Sequence, residues 1–381
     1  MSTENTENTD ISENTENTDI SEGTEETIDD GPASSALETW DRIKHTERFV
    51  LIAAVVFVAV FPWVFTSAPL VPSDLLGYDQ LVRLILIWGI FALGFNHLLG
   101  QTGLLSFGHA MFFGGSAYAT ALFANNVVAD PLLSVVVGVC FALLLAVVTP
   151  FILLRLHTVY FAIVTLAIAQ MLYYMAREPF EGITGGINGL GVERNPLFGL
   201  VELGADLPGV FGALWGTYMY LFVAAFFVAV VAFITRVRKS PYGLIFKAVR
   251  ENETRASFVG LDVWRYKFAA FVISGFVAGI AGGLLPMETY FTGVERLHWT
   301  LSGDVVMMTV LGGLGTVAGP IIGVIVFLYF EGVVNGLDVI GGYWLLTLAL
   351  AFTAVVWKYP DGIWGMITSV SSQLRSQRGD Q

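Results

Sequence analysis

From residue 49 onward the chain alternates long apolar runs with short polar or Gly/Pro breaks, and this pattern limits what it can fold into. The runs cover about 49–66, 83–100, 104–126, 132–153, 156–176, 217–235, 267–287, 301–314, 317–334 and 343–357. In hydrocarbon every backbone N–H and C=O must find its partner within the protein, so runs of this kind fold as helices. About 20 residues of helix cross a 30 Å hydrocarbon core. The expected fold is therefore an all-α polytopic membrane protein with about ten transmembrane helices, in which 301–314 either crosses or re-enters. A content of 55% hydrophobic and 13% charged residues is foreign to a soluble domain of 381 residues.

Charge divides the chain into parts. The net charge of −13 resides mostly in residues 1–48, which hold fourteen acidic and three basic residues. There Glu4–Ser12 (ENTENTDIS) is repeated residue for residue by Glu13–Ser21. Such a tail cannot bury a core, so 1–45 is expected to be a disordered acidic extension, without the basic and apolar pattern of a secretory signal. The remainder is expected as a transmembrane domain, 46–360, and a short cytoplasmic tail, 361–381. The single cysteine, Cys140, lies in an apolar run and is expected to pack there; it cannot form an intramolecular disulfide.

Basic residues near the ends of apolar runs mark the cytoplasmic side. Arg42, Lys44 and Arg48 precede the first run, Arg155 and His157 fall at a later inner turn, and Lys358, Arg375 and Arg378 follow the last run. The densest island is Arg236–Lys267, with eight of the nineteen basic residues against Glu251, Glu253 and Asp262. The connection 177–216 is acidic on balance and is expected outside. Both termini are then cytoplasmic, in a multi-pass protein of the cell membrane.

Glycine spacing bears on how these helices meet. Gly275, Gly279 and Gly283 recur at i+4, as do Gly315, Gly319 and Gly323. Small residues at that spacing let backbones approach in lipid, so packing within one subunit is the expected role. Gly312, Gly313, Gly315, Gly319 and Pro320 are also expected to interrupt a helix, which is tolerated at depth only inside protein or beside water. Polar residues in the runs are few: Asn96, His97, Gln101, Ser106 and His109 cluster between two runs, and Gln170, Asp304 and Glu331 lie farther on. Asp304 and Glu331 are expected to reach the external interface. The five histidines have no metal-ligand spacing, and no metal site is expected.

Nothing in the chain points to catalysis. It carries no G-x-x-x-x-G-K-[ST] phosphate loop, no G-x-S-x-G turn and no H-E-x-x-H helix. Energy for any active transport must come from another subunit or an ion gradient. Within the basic island, Pro241 suits a helix start and Gly260 a stop. Ile245, Ala248, Val249, Ala256 and Val259 recur at helical spacing, with Lys247, Arg250, Glu251 and Arg255 on the other face. One amphipathic helix of three to five turns is expected, with Glu251 and Arg255 as an i,i+4 pair. It either lies in anionic lipid headgroups or docks in a partner's groove.

Four segments, taken together in order and spacing, carry a resemblance: Gly100–Tyr118 (GQTGLLSFGHAMFFGGSAY), Thr184–Leu190 (TGGINGL), Tyr242–Ala281 and Val310–Gly323 (VLGGLGTVAGPIIG). Over about residues 80–360 the chain resembles the permease subunits of branched-chain amino-acid ABC importers, in their LivM-like branch. The N-terminal repeat is no part of that pattern.

The resemblance implies a second, related permease, two cytoplasmic ATPase subunits that use the ATP, and an extracytoplasmic solute-binding protein. Besides membrane lipid it implies no other partner, no nucleic acid, no bound cofactor and no enzymatic activity in this chain. Tyr242–Asp262 then resembles the segment that docks on the ATPase. Arg250, Glu251, Asn252 and Gly260 fall on recurrent family positions there, and Tyr242, Lys247 and Arg255 belong to the same surface. Gln101, Ser106, Gly108 and His109, with Gly312, Gly313 and Gly315, are placed by position near the translocation path or a helix break. The implied substrate is an aliphatic amino acid moved by alternating access, with urea or a short amide as the alternative within the family. A secondary transporter would show midplane acids and an inverted repeat, and a channel a filter or charged rings.

Overall fold

The apolar runs become helices whose ends fall where proline, glycine or a side-chain cap stops them. A computed structural model describes residues 50–62, 79–156, 158–335, 343–359 and 361–366. The acidic repeat, His157 and the basic residues at positions 42, 44, 48, 375 and 378 lie outside the described residues. Helix α1 is Val50–Pro62. It is followed by α2 (Asp79–Thr102), α3 (Ala110–Asn126), α4 (Pro131–Val148), the one-turn α5 (Pro150–Leu153) and α6 (Thr158–Arg177). Short helices α7 (Glu181–Thr184) and α8 (Val210–Trp215) precede α9 (Tyr218–Lys239). Then come α10 (Pro241–Glu251), α11 (Glu253–Phe258) and α12 (Val263–Thr289). The series ends with α13 (Trp299–Gly312), α14 (Ala318–Asn335) and α15 (Trp344–Lys358). Leu190–Gly191 and Phe291–Thr292 form a short antiparallel pair.

Local chemistry sets these limits. The Asp130 carboxylate accepts the Leu132 and Leu133 amides, while Pro131 takes the first helical position, where no N–H is needed. Asp262 caps α12 in the same manner through the Arg265 amide.

The chain is an all-α polytopic membrane protein. Among the described residues, five helices are long and apolar enough to cross by themselves: α2, α4 with α5, α6, α9 and α12. The expected ten crossings are thus not ten uninterrupted helices. The run 104–126 yields a 17-residue helix because residues 103–109 stay non-helical, and 301–314 yields one of 14 residues.

Helices α2 and α12 occupy the centre, and most of each is buried. Their glycines are the seams. A Cβ on Gly275 would stand 2.5 Å from the Ala146 methyl, and one on Gly279 would stand 2.5 Å from that of Ala142. Gly283 lies against Thr120, Ser116 and Val135. The stripe on α12 therefore faces α3 and α4 of the same subunit. In α14, Gly319 and Gly323 pack on α13, but Gly315 precedes the helix and shares no face with them. Pro320 falls in the first turn of α14, where its missing N–H breaks no bond, so the interruption is confined to 313–317. Only about a third of the residues of α4 and α6 are buried, and Leu144, Val148, Ile163 and Met171 turn outward, as lipid contact requires. Cys140 lies on that exposed face and not in the core.

Candidate functional site

The site begins with an unavoidable defect of helix ends: the last carbonyls of α2 have no intrahelical donor. Gly103, at φ +74°, turns the chain out of the helix, and Arg250 of α10 supplies a missing donor. Its Nη1 donates to the Gly100 carbonyl at 2.6 Å. A side chain on Gly103 would come within 3.2 Å of the Arg250 stem, so glycine serves both the turn and the approach of the arginine.

A second break lies alongside. Between α13 and α14, Gly313 and Gly315 adopt φ of +114° and +77°. The buried Asn96 amide bridges this backbone, donating to the Thr316 carbonyl at 2.7 Å and accepting the Gly315 amide at 3.0 Å. Arg238, at the end of α9, donates to the Gly315 carbonyl. Residues 362–366, expected in the C-terminal tail, form a helical turn whose Gly362 abuts Gly313, where a Cβ would stand 2.6 Å from its amide nitrogen. Beside the break opens a cavity of about 630 Å³, apolar along α1, α9 and α14, with Arg238, Lys239 and Lys247 among its lining.

The single amphipathic helix expected over 241–259 is two helices. Asn252 leaves helical geometry at φ −162°, and its side chain caps α11 by accepting the Arg255 amide at 2.8 Å. Glu251 and Arg255 therefore do not share an uninterrupted helix, and the i,i+4 pair is absent among the described residues; Glu253 pairs instead with Lys267 at 2.5 Å. The buried face of α10 is Gly243, Phe246 and Val249, with the Phe246 ring edge-on to His97 at 5.5 Å. Tyr242, Lys247, Glu251 and Arg255 are exposed, as are the apolar Leu244, Phe258 and Val259, the last two at 86% and 78%. Gly260 turns at φ +88° with open space around it.

Gln101, Ser106, Gly108 and His109 all fall at or near the break between α2 and α3, and all four are buried, while Gly103, Leu105 and Phe107 between them are partly exposed. Ser274 gives its one proton to the Gly94 carbonyl at 2.6 Å, so its lone pair faces His109 Nε2 at 2.7 Å. A Cβ at Gly108 would collide with the Thr165 carbonyl. His109 and Gly108 tie α3 to α12, α2 and α6 through these contacts. No cluster of three metal-ligating side chains occurs among the described residues.

At the opposite end, Arg83 of α2 and Glu288 of α12 form an ion pair of 2.7 Å, with side chains 13% and 3% exposed. Arg194 covers it, donating to the Met287 carbonyl at 2.6 Å and to the Tyr290 hydroxyl. Nothing in the sequence signals these contacts, because the partners lie 205 and 93 positions apart.

Residues 77–357 match the family described as branched-chain amino acid transport system / permease component. The chain belongs to that permease family. It is 27% identical over 347 residues to the high-affinity branched-chain amino acid transport system permease protein LivM of Escherichia coli, covering 87% of this permease and 78% of that relative. The Salmonella typhimurium LivM is 29% identical over 71% of this permease and 64% of its own length. A probable LivM of Methanocaldococcus jannaschii is 24% identical over 65% and 79%. No solved structure matches the permease.

Proposed function

We propose that this chain is the permease subunit of an ATP-driven importer of branched-chain, aliphatic amino acids. The names of its relatives and the basic island support the reading. In it the Gly100 end of the bundle is cytoplasmic, the Arg83 end faces outward, and both termini lie inside. A second permease, two ATPases and an external binding protein complete the system, and the ATPases hydrolyse the ATP.

One observation carries the mechanism: Arg250 leaves the exposed α10–α11 surface and holds the Gly100 carbonyl at the end of the central α2. Arg238, just before α10 begins, holds the Gly315 carbonyl of the second break. An ATPase closing on α10 and α11 would thus pull on both breaks at once, tilting α2 against α13 and α14. Backbone breaks bend more easily than helix interiors, so motion concentrates there. The two states are selected by ATP and by the loaded binding protein through their differential affinities.

The double variant R250A/E251A should insert and assemble with its paired permease but take up no leucine in proteoliposomes containing the complete system. Uptake at the wild-type rate would remove the coupling role.

A further inference from the structure

A set of charges lies on the outer face of α13 and α14, at a depth where charge is rare. The two helices run antiparallel, and their register is set where a Cβ on Gly323 would collide with the Met308 carbonyl. From that contact, Asp304 stands opposite position 327, so Glu331 is only one helical turn away, about 6 Å along the axis. Arg296 lies in the tight turn Val294–Leu297 that leads into α13. Its charge is favoured by the neighbouring Glu295 and also by Glu331 and Asp304.

The packing gives the depth. Ser302 accepts the Ala110 amide at 2.9 Å, beside His109, which is bonded through Ser274 to Gly94 in the middle of α2. Gly114, one turn farther along α3, lies against the Arg296 carbonyl. By helical rise Arg296 is therefore about 6 Å from this middle level, whereas the hydrocarbon extends about 15 Å to either side of the midplane. The segment after α12 thus turns back into the bundle before α13 starts. On this reading Asp304 and Glu331 lie deeper than the external interface expected from the sequence.

The cluster also faces out of the subunit. All three residues are half-buried, and the positions flanking them, Gly303 and Gly332, have no atom within 4 Å of where a Cβ would stand. None of the three side chains makes a hydrogen bond or contact ion pair among the described residues, unlike the closed Arg83–Glu288 pair. A charge turned toward lipid at such depth costs about 3 kcal/mol or more. Lipid is thus the wrong neighbour for this face.

We infer that Arg296, Asp304 and Glu331 form a binding station for the zwitterionic head of an α-amino acid on the translocation path. The guanidinium takes the carboxylate in a two-pronged hydrogen bond. The two acids hold the ammonium, and the aliphatic side chain rests on the apolar surface around them. No contact pair must be broken before the ligand enters, which suits a station that binds and releases. A neutral urea or amide brings neither the carboxylate nor the ammonium that these groups would engage, so the cluster favours the amino-acid substrate. The inference rests on the import reading above.

The test uses the assembled system in proteoliposomes, with binding protein saturated by labelled leucine. R296Q, and separately D304N/E331Q, should lower ATP-driven uptake about ten- to a hundredfold, the loss expected for a charge-assisted contact. Binding-protein-stimulated ATP hydrolysis and co-purification of the paired permease should persist. R296K, which keeps the charge but not the fork, should retain part of the uptake and serves where R296Q fails to accumulate. Unchanged uptake in these variants overturns the station. Loss of co-purification also overturns it, because the charges would then belong to the contact between permeases. Absence of ATP-driven leucine uptake by the wild-type system would instead overturn the import reading.

Discussion

At the Arg83 end of the bundle a buried arginine is met by a carboxylate, whereas at the Gly100 end Arg250 and Arg238 are met by interrupted backbone. Arg83 and Glu288 close on each other with little solvent access, and Arg194 covers them from the adjoining loop. Arg250 and Arg238 reach carbonyls at the end of α2 and between α13 and α14. Desolvation makes the first arrangement intolerant of losing either partner, so it behaves as a clamp. A carbonyl can exchange its donor for water or another N–H at small net cost, so the second arrangement behaves as a joint. Both ends use arginine, and the partner decides which kind of element results.

The largest effect should come from breaking the clamp. E288Q leaves Arg83 buried without a counter-charge and should destabilise the permease by about 3–5 kcal/mol, read as a lower melting temperature in detergent. The double variant R83M/E288L should recover most of it. A small loss in E288Q would mean that water already reaches the pair and that the two ends are alike. N96A removes the amide that bridges the second break. It should cost about 1–3 kcal/mol, with hydrogen exchange rising at 313–317 and not at the Arg83 end. The smallest stability change should come from F258S/V259S, within about 0.5 kcal/mol because both side chains are exposed. The same variant should nevertheless weaken ATPase binding in a pull-down; unaltered binding would make this surface a lipid contact.

Much of the fold was legible in the sequence, for identifiable reasons. The apolar runs located α2, α4, α6, α9 and α12 to within a few residues, because in hydrocarbon a long apolar run has few alternatives to helix. The i+4 glycines of α12 announced close packing, though not that Ala142 and Ala146 would fill the seam. Within the basic island, Pro241 and Gly260 marked the start and stop. The break at Asn252 went unread because its side chain can end one helix and cap the next without any glycine or proline. Arg250 was read as part of a charged face; nothing local indicated that it would turn inward to Gly100.

The sequence by itself determined that the chain spans a membrane as a helical bundle, that glycine-rich breaks interrupt it, and to which family it belongs. Those properties follow from local composition and from motifs in a fixed order. Tertiary structure decided which charges meet and which remain open. Arg83 and Glu288 are 205 residues apart, and Asn96 and Gly315 are 219. Asp304, Glu331 and Arg296 converge only because α13 and α14 pack in one register. Such pairings depend on three-dimensional closure of the bundle, and the spacing of residues along the chain carries no signal for them.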